Sequence, residues 1–121
     1  MMKVAKSKAH LNIQNFQIWM DVLRSGKYTQ CRNSMRRGNS YCCLAVGCEV
    51  SHSTYSAGGG YPTFSREIQG KGYSFEEWLG LKREDVGRFY KWCGLMNDER
   101  ELSFDEIAGA LENYLQSEDT P

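Results

Sequence analysis

The run YCCLAVGC, from Tyr41 to Cys48, is the strongest constraint in the chain. It contains no charged residue, and a helix apolar on every side belongs inside a fold. Asn39 or Ser40 would cap such a helix. Cys43, Val46, Gly47 and Val50 would form one stripe, and Leu44 and Cys48 another, so two different neighbours are expected to pack on it. Gly47 would allow one of them to come close. With 121 residues the chain makes one domain, large enough to bury a core without metal or disulfide.

Around that central segment the apolar spacing predicts further helices. Ile13, Phe16, Trp19, Met20 and Leu23 recur at helical intervals between a capping Asn12 and a terminating Gly26. Ser74 with Glu77, and Ser103 with Glu106, each have the spacing of a capping box. The first opens a short helix with Trp78 and Leu79, ended by Gly80. Val86, Phe89, Tyr90 and Cys93 mark another helix, which Gly94 should end. Ile107, Ala108, Leu111 and Leu115 mark the last one. The Arg-Gly-Asn turn signal predicts a short hairpin between Tyr28 and Tyr41. The expected architecture is therefore α+β: a compact single domain, mostly helical, with a short β-hairpin and a central buried helix. Its globular core would span residues 10–116, between a mobile basic tail (1–9) and a polar tail (117–121), with a long irregular segment, Tyr55–Gly72, inside it.

Lysine plus arginine and aspartate plus glutamate both total 15, which argues against a general nucleic-acid coat. That neutrality hides an asymmetry. Up to Gly60 there are eight basic and two acidic residues, +6; beyond it there are seven basic and thirteen acidic, −6. A phosphate-bearing ligand would find its counter-charge in the first half, on Arg32, Arg36 and Arg37, with Tyr55 and Tyr61 supplying aromatic contact area. Most such surface charge is only solvation.

Five cysteines, an odd number, and an N-terminus with no apolar stretch behind its basic residues point to reduced thiols in a cytoplasm. Cys42 and Cys43 fall in the opening turn of the predicted helix, where unpaired amides favour thiolate, making them an alternative catalytic pair. Catalysis would need a base, and the two histidines, His10 and His52, lie far from them in sequence. Small buried thiols are the simpler reading. Cys43, Cys48 and His52 form a C-x4-C-x3-H array, the alternative metal set, although Cys43 and Cys48 would diverge on a helix and no CxxC knuckle exists. The glycines at 58–60 lack the spacing of a phosphate-binding loop, so no cofactor is expected. The apolar helix at Leu102–Leu115 resembles the first half of a helix-turn-helix, but the acidic residues after it do not suit a major groove, so sequence-specific DNA binding is not expected. No apolar run reaches a membrane span. Asp98, Glu99 and Glu101 read as a solvated turn.

Three segments, LRSGKYTQ (Leu23–Gln30), MRRGNSYCCLAVGCEV (Met35–Val50) and EEWLGL with LMNDERELSFDEIAGALENYL, resemble in order and spacing small proteins of tailed bacteriophages and prophages. Ala45 stands where glycine is commoner in that group. The resemblance implies a phage accessory product in the bacterial host cytoplasm and carries over no site residue. The expected function is a non-catalytic accessory or host-takeover factor that binds a host protein or a nucleotide-like ligand. A cysteine-dependent transferase or hydrolase, and a phage structural or assembly protein, are the alternatives.

Overall fold

Helix α1 (Ile13–Arg24) starts where Asn12 accepts a hydrogen bond from the Asn15 amide at 3.0 Å, the expected cap. It buries Phe16, Trp19, Met20 and Leu23. The computed structural model describes residues 11–53 and 75–119, with side chains through 113. The expected basic tail (1–9), residues 120–121, the Tyr55–Gly72 segment, Ser74 and the Leu115 side chain lie outside the described residues, whereas 117–119 of the expected polar tail continue the last helix. Gly26, at φ +78°, follows the helix as anticipated.

Three two-residue strands follow: β1 (Thr29–Gln30), β2 (Arg36–Arg37) and β3 (Ser40–Tyr41), in the order β1-β3-β2. Only β2 and β3 form the antiparallel hairpin, across a turn with Gly38 at φ +62°. β1 instead pairs parallel with β3, Thr29 opposite Ser40 and Gln30 opposite Tyr41. The predicted hairpin is therefore present at the Arg-Gly-Asn turn, and β1 adds a parallel third strand to it. Residues 31–35 turn the chain so that β2 runs opposite to β1, and β3 then lies between the two.

The cysteine-rich segment forms helix α2 (Cys43–Ser51), and every side chain from Cys43 to Cys48 is buried, as its composition required. Its cap is Cys42, not Asn39 or Ser40: the Cys42 sulfur accepts from the Ala45 amide at 3.4 Å. The two polar residues are drawn into the turn and β3 instead. α1 crosses α2, with the Trp19 indole donating to the Cys43 carbonyl at 3.1 Å. On another side lies α3 (Phe75–Leu79), where a Cβ on Gly47 would stand 2.4 Å from the Phe75 ring. That is overlap. Glycine is the only residue that lets the ring sit there, 4.9 Å edge-on from Trp19.

α4 (Arg83–Gly94) buries Val86, Phe89, Tyr90 and Cys93. Gly94 does not end it. The chain continues into a π-helical turn, Leu95–Glu99, before α5 (Phe104–Asp119) begins at the predicted capping box. There Ser103 and Glu106 exchange bonds of 2.9 and 3.1 Å. Ile107, Ala108 and Leu111 seal the core from that side. α1 and α5 are clamped outside it by a two-pronged ion pair, Arg24 to Glu112 at 2.7 and 2.8 Å. The α+β, mostly helical expectation holds. Among the described residues no helix is long and apolar enough to cross a membrane.

Candidate functional site

The N-terminal end of α2 is where the polar residues gather. Gln30, the 31–35 loop and the π-helical turn meet around Asn97, which is 1% exposed. Its amide nitrogen donates to the Cys31 carbonyl at 2.9 Å and to Asp98 at 2.8 Å. Its amide oxygen accepts from Gln30 at 2.8 Å and from the Cys43 amide at 3.3 Å. Two donors and two lone pairs are the whole capacity of an asparagine, so this side chain is saturated. Asp98 adds a bond to the Asn33 amide at 2.9 Å, holding Asn33 at φ +64°. Asp98 therefore belongs to a built knot, not to the solvated turn read from sequence.

Against that knot lies a pocket of 340 Å³ lined by the 33–35 loop, the first turn of α2 and the end of α4 with its π-helical turn. Cys42, Cys43 and Cys93 form part of its wall. Neither Cys42 nor Cys43 is a ready nucleophile. Burial pushes the Cys42 thiol far up, despite the helix start that favours thiolate. Cys43 is raised well above its ordinary value, first by its hydrogen bond with Cys93 and then by burial; its sulfur also lies 3.8 Å from the Cys93 carbonyl. Cys48 and Cys31 are raised by burial as well. His52 is exposed at the opposite end of α2, in a left-handed conformation at φ +60°. The geometry gives the Cys42/Cys43 alternative no support: the helix whose start would favour thiolate also buries both sulfurs, and lays its own length between them and the His52 imidazole, while His10 lies outside the described residues.

The Cys43, Cys48, His52 array does not converge either. Cys43 points toward Cys93 while His52 caps the far end in solvent. No group of three metal-type ligands able to hold an ion occurs among the described residues.

The arginines expected to act together separate. Arg32 turns toward the carbonyls of Glu101 and Leu102, at 2.9 and 3.2 Å, and braces the two loops. Its Nε is buried and finds no partner among the described residues. Arg36 and Arg37 sit on successive strand positions, so they face opposite sides of the sheet. Arg36 lies over the Tyr41 ring, 5.0 Å from its centroid, and donates through Nε to the Gly38 carbonyl at 3.0 Å. Tyr41 meets Tyr28 edge-on at 4.9 Å, and the Lys27 ammonium lies 5.9 Å from the Tyr28 ring. A ledge of two rings flanked by two cations results, which sequence reading missed because Lys27 and Tyr28 suggest no binding motif. Arg37 bonds Ser34 Oγ at 3.2 Å on the other side. Tyr55 and Tyr61 lie outside the described residues.

Residues 11–112, from just before the α1 cap into α5, match the model of a family described as a domain of unknown function, DUF8296. The chain belongs to that family. No curated protein and no solved structure matches it. The matched stretch of this DUF8296 domain takes in both the Asn97 knot and the cation–ring ledge.

Proposed function

We propose that this DUF8296 domain is a non-catalytic binding protein that engages a phosphate-bearing, nucleotide-like ligand, free or displayed on a host protein, through the Lys27–Tyr28–Tyr41–Arg36 ledge. The observation that carries the reading is Arg36. Its guanidinium is stacked on Tyr41 and fixed through Nε, leaving its terminal nitrogens presented to solvent with little rotamer freedom left to lose. Such nitrogens suit phosphate oxygens, and a neighbouring ring face suits a base. Burial of the cysteines weighs against the thiol-enzyme alternative. A bacteriophage accessory or host-takeover role in the bacterial cytoplasm is part of the same proposal and rests on the sequence resemblance.

Titration of the isotope-labelled protein with ATP and with a short oligothymidylate at low salt tests the ledge. Amide shifts should concentrate at Lys27, Tyr28, Arg36 and Tyr41. Arg36→Ala with Lys27→Ala should weaken binding about tenfold, the loss of two solvent-exposed ion contacts worth about 0.7 kcal/mol each. Unchanged affinity in that double variant rejects the reading.

A further inference from the structure

Lys27 and Arg36 reach the ledge from opposite edges of the small sheet. Lys27 and Tyr28 lead into β1, Arg36 lies on β2, and β3 with Tyr41 runs between them. Neighbouring strands stand about 4.8 Å apart, so the backbones that carry the two cations are separated by about 10 Å. The steps from Lys27 to Tyr28, from Tyr28 to Tyr41 and from Tyr41 to Arg36 are 5.9, 4.9 and 5.0 Å. Two exposed cations are thus held apart with two half-buried rings between them.

A mononucleotide carries its phosphates in one cluster at one end, so it satisfies one of these cations far better than the other. A polynucleotide repeats phosphate and base, and that repeat matches cation, ring, ring, cation. The rings also choose between one strand and two. Tyr28 and Tyr41 lie at 82° to each other, so bases stacked on both would lie in crossed planes. A single strand can splay its bases in that way, whereas the parallel, paired bases of a duplex cannot. We infer that the ledge holds single-stranded nucleic acid, with phosphates on Lys27 and Arg36 and the intervening bases on Tyr28 and Tyr41, an inference that rests on the phosphate-binding reading of this surface. Its contacts are to backbone and ring faces, so the strand is held without regard to sequence. Two phosphates make a short footprint, in keeping with a chain whose charges sum to zero.

Calorimetric and amide-shift titration with a short oligothymidylate, with thymidine monophosphate and with a blunt GC-rich DNA duplex tests this. The oligothymidylate should bind at least about tenfold more tightly than either of the others, the gain expected of one more stacked base. Its log affinity should fall against log salt with a slope of about −1.4, two phosphates at about 0.7 each, and Lys27→Ala should bring that slope to about −0.7. Lys27→Ala should also weaken the oligothymidylate about threefold, and more than it weakens the monophosphate. Lys27 and Arg36 are both exposed, so neither side chain is needed for folding. Equal affinity for the monophosphate and the oligothymidylate, or a duplex bound as tightly as the single strand, overturns the inference and leaves the phosphate-binding reading in place. No binding of any of the three at the ledge overturns both.

Discussion

α2 is held in two different ways at two places. Along its flank, Gly47 admits the Phe75 ring and Trp19 closes over it, so the contact depends on shape. At its N-terminal end, Asn97 and Cys42 complete the helix with side-chain bonds, and the contact depends on pairing. The flank excludes water and permits nothing else. The end stays polar and borders a pocket. Packing built from shape gives rigidity, whereas packing built from directed bonds leaves room for a ligand to exchange with them.

Gly47→Ala should be the most damaging change, since the added methyl overlaps an aromatic ring in a full core. Overpacking of this kind costs about 3 kcal/mol. Urea denaturation should show the loss, and Phe75→Leu in the same chain should restore part of it. If Gly47→Ala is neutral, the flank does not depend on shape. Asn97→Ala should follow at about 2 kcal/mol, because it leaves the Cys31 carbonyl and the Cys43 amide buried without partners. Asn97→Asp should not rescue it, lacking the two donors. A rescue there would mean that the acceptor side alone holds the end together.

The flank was legible in the sequence and the end was not. An uncharged run, the three- and four-residue spacing in α1 and α4, and the Ser103–Glu106 box all act within one element, so their residues declare themselves locally. The Asn97 knot joins residues 54 to 67 positions apart, and each looks like ordinary loop chemistry by itself. The π-helical turn that aims Asn97 inward follows a glycine that reads as a helix stop. Arg36 and Arg37, adjacent in sequence, suggested one patch, and only the strand register shows that they serve two faces.

Alkali should separate the two regions less sharply. Burial raises the thiols of Cys42 and Cys48 and the Tyr90 hydroxyl, which donates to buried Glu76 at 2.5 Å. In each case the folded state holds its proton to higher pH than the unfolded chain does. Their contribution is thus complete below the unfolded values and declines as pH rises, by about 1.4 kcal/mol per pH unit for each thiol above roughly pH 8.5. Urea midpoints should fall steadily from pH 8 to pH 10. A midpoint that rises over that interval would mean the thiols are not sealed. The smallest effect belongs to the clamp outside both regions: Glu112→Gln should cost about 0.5 kcal/mol, because the Arg24 pair that holds Glu112 below its ordinary range is about one-third exposed. Added salt should shrink that difference.

The claim that the cysteines are structure and the molecule acts by binding is most directly examined by the pH dependence of iodoacetamide alkylation at Cys42 and Cys43, followed by mass spectrometry of the native protein. The account predicts that both stay unmodified at neutral pH and react only as fast as the chain unfolds. Rapid modification of either, with a midpoint below the roughly 8.5 of a free thiol, would contradict it.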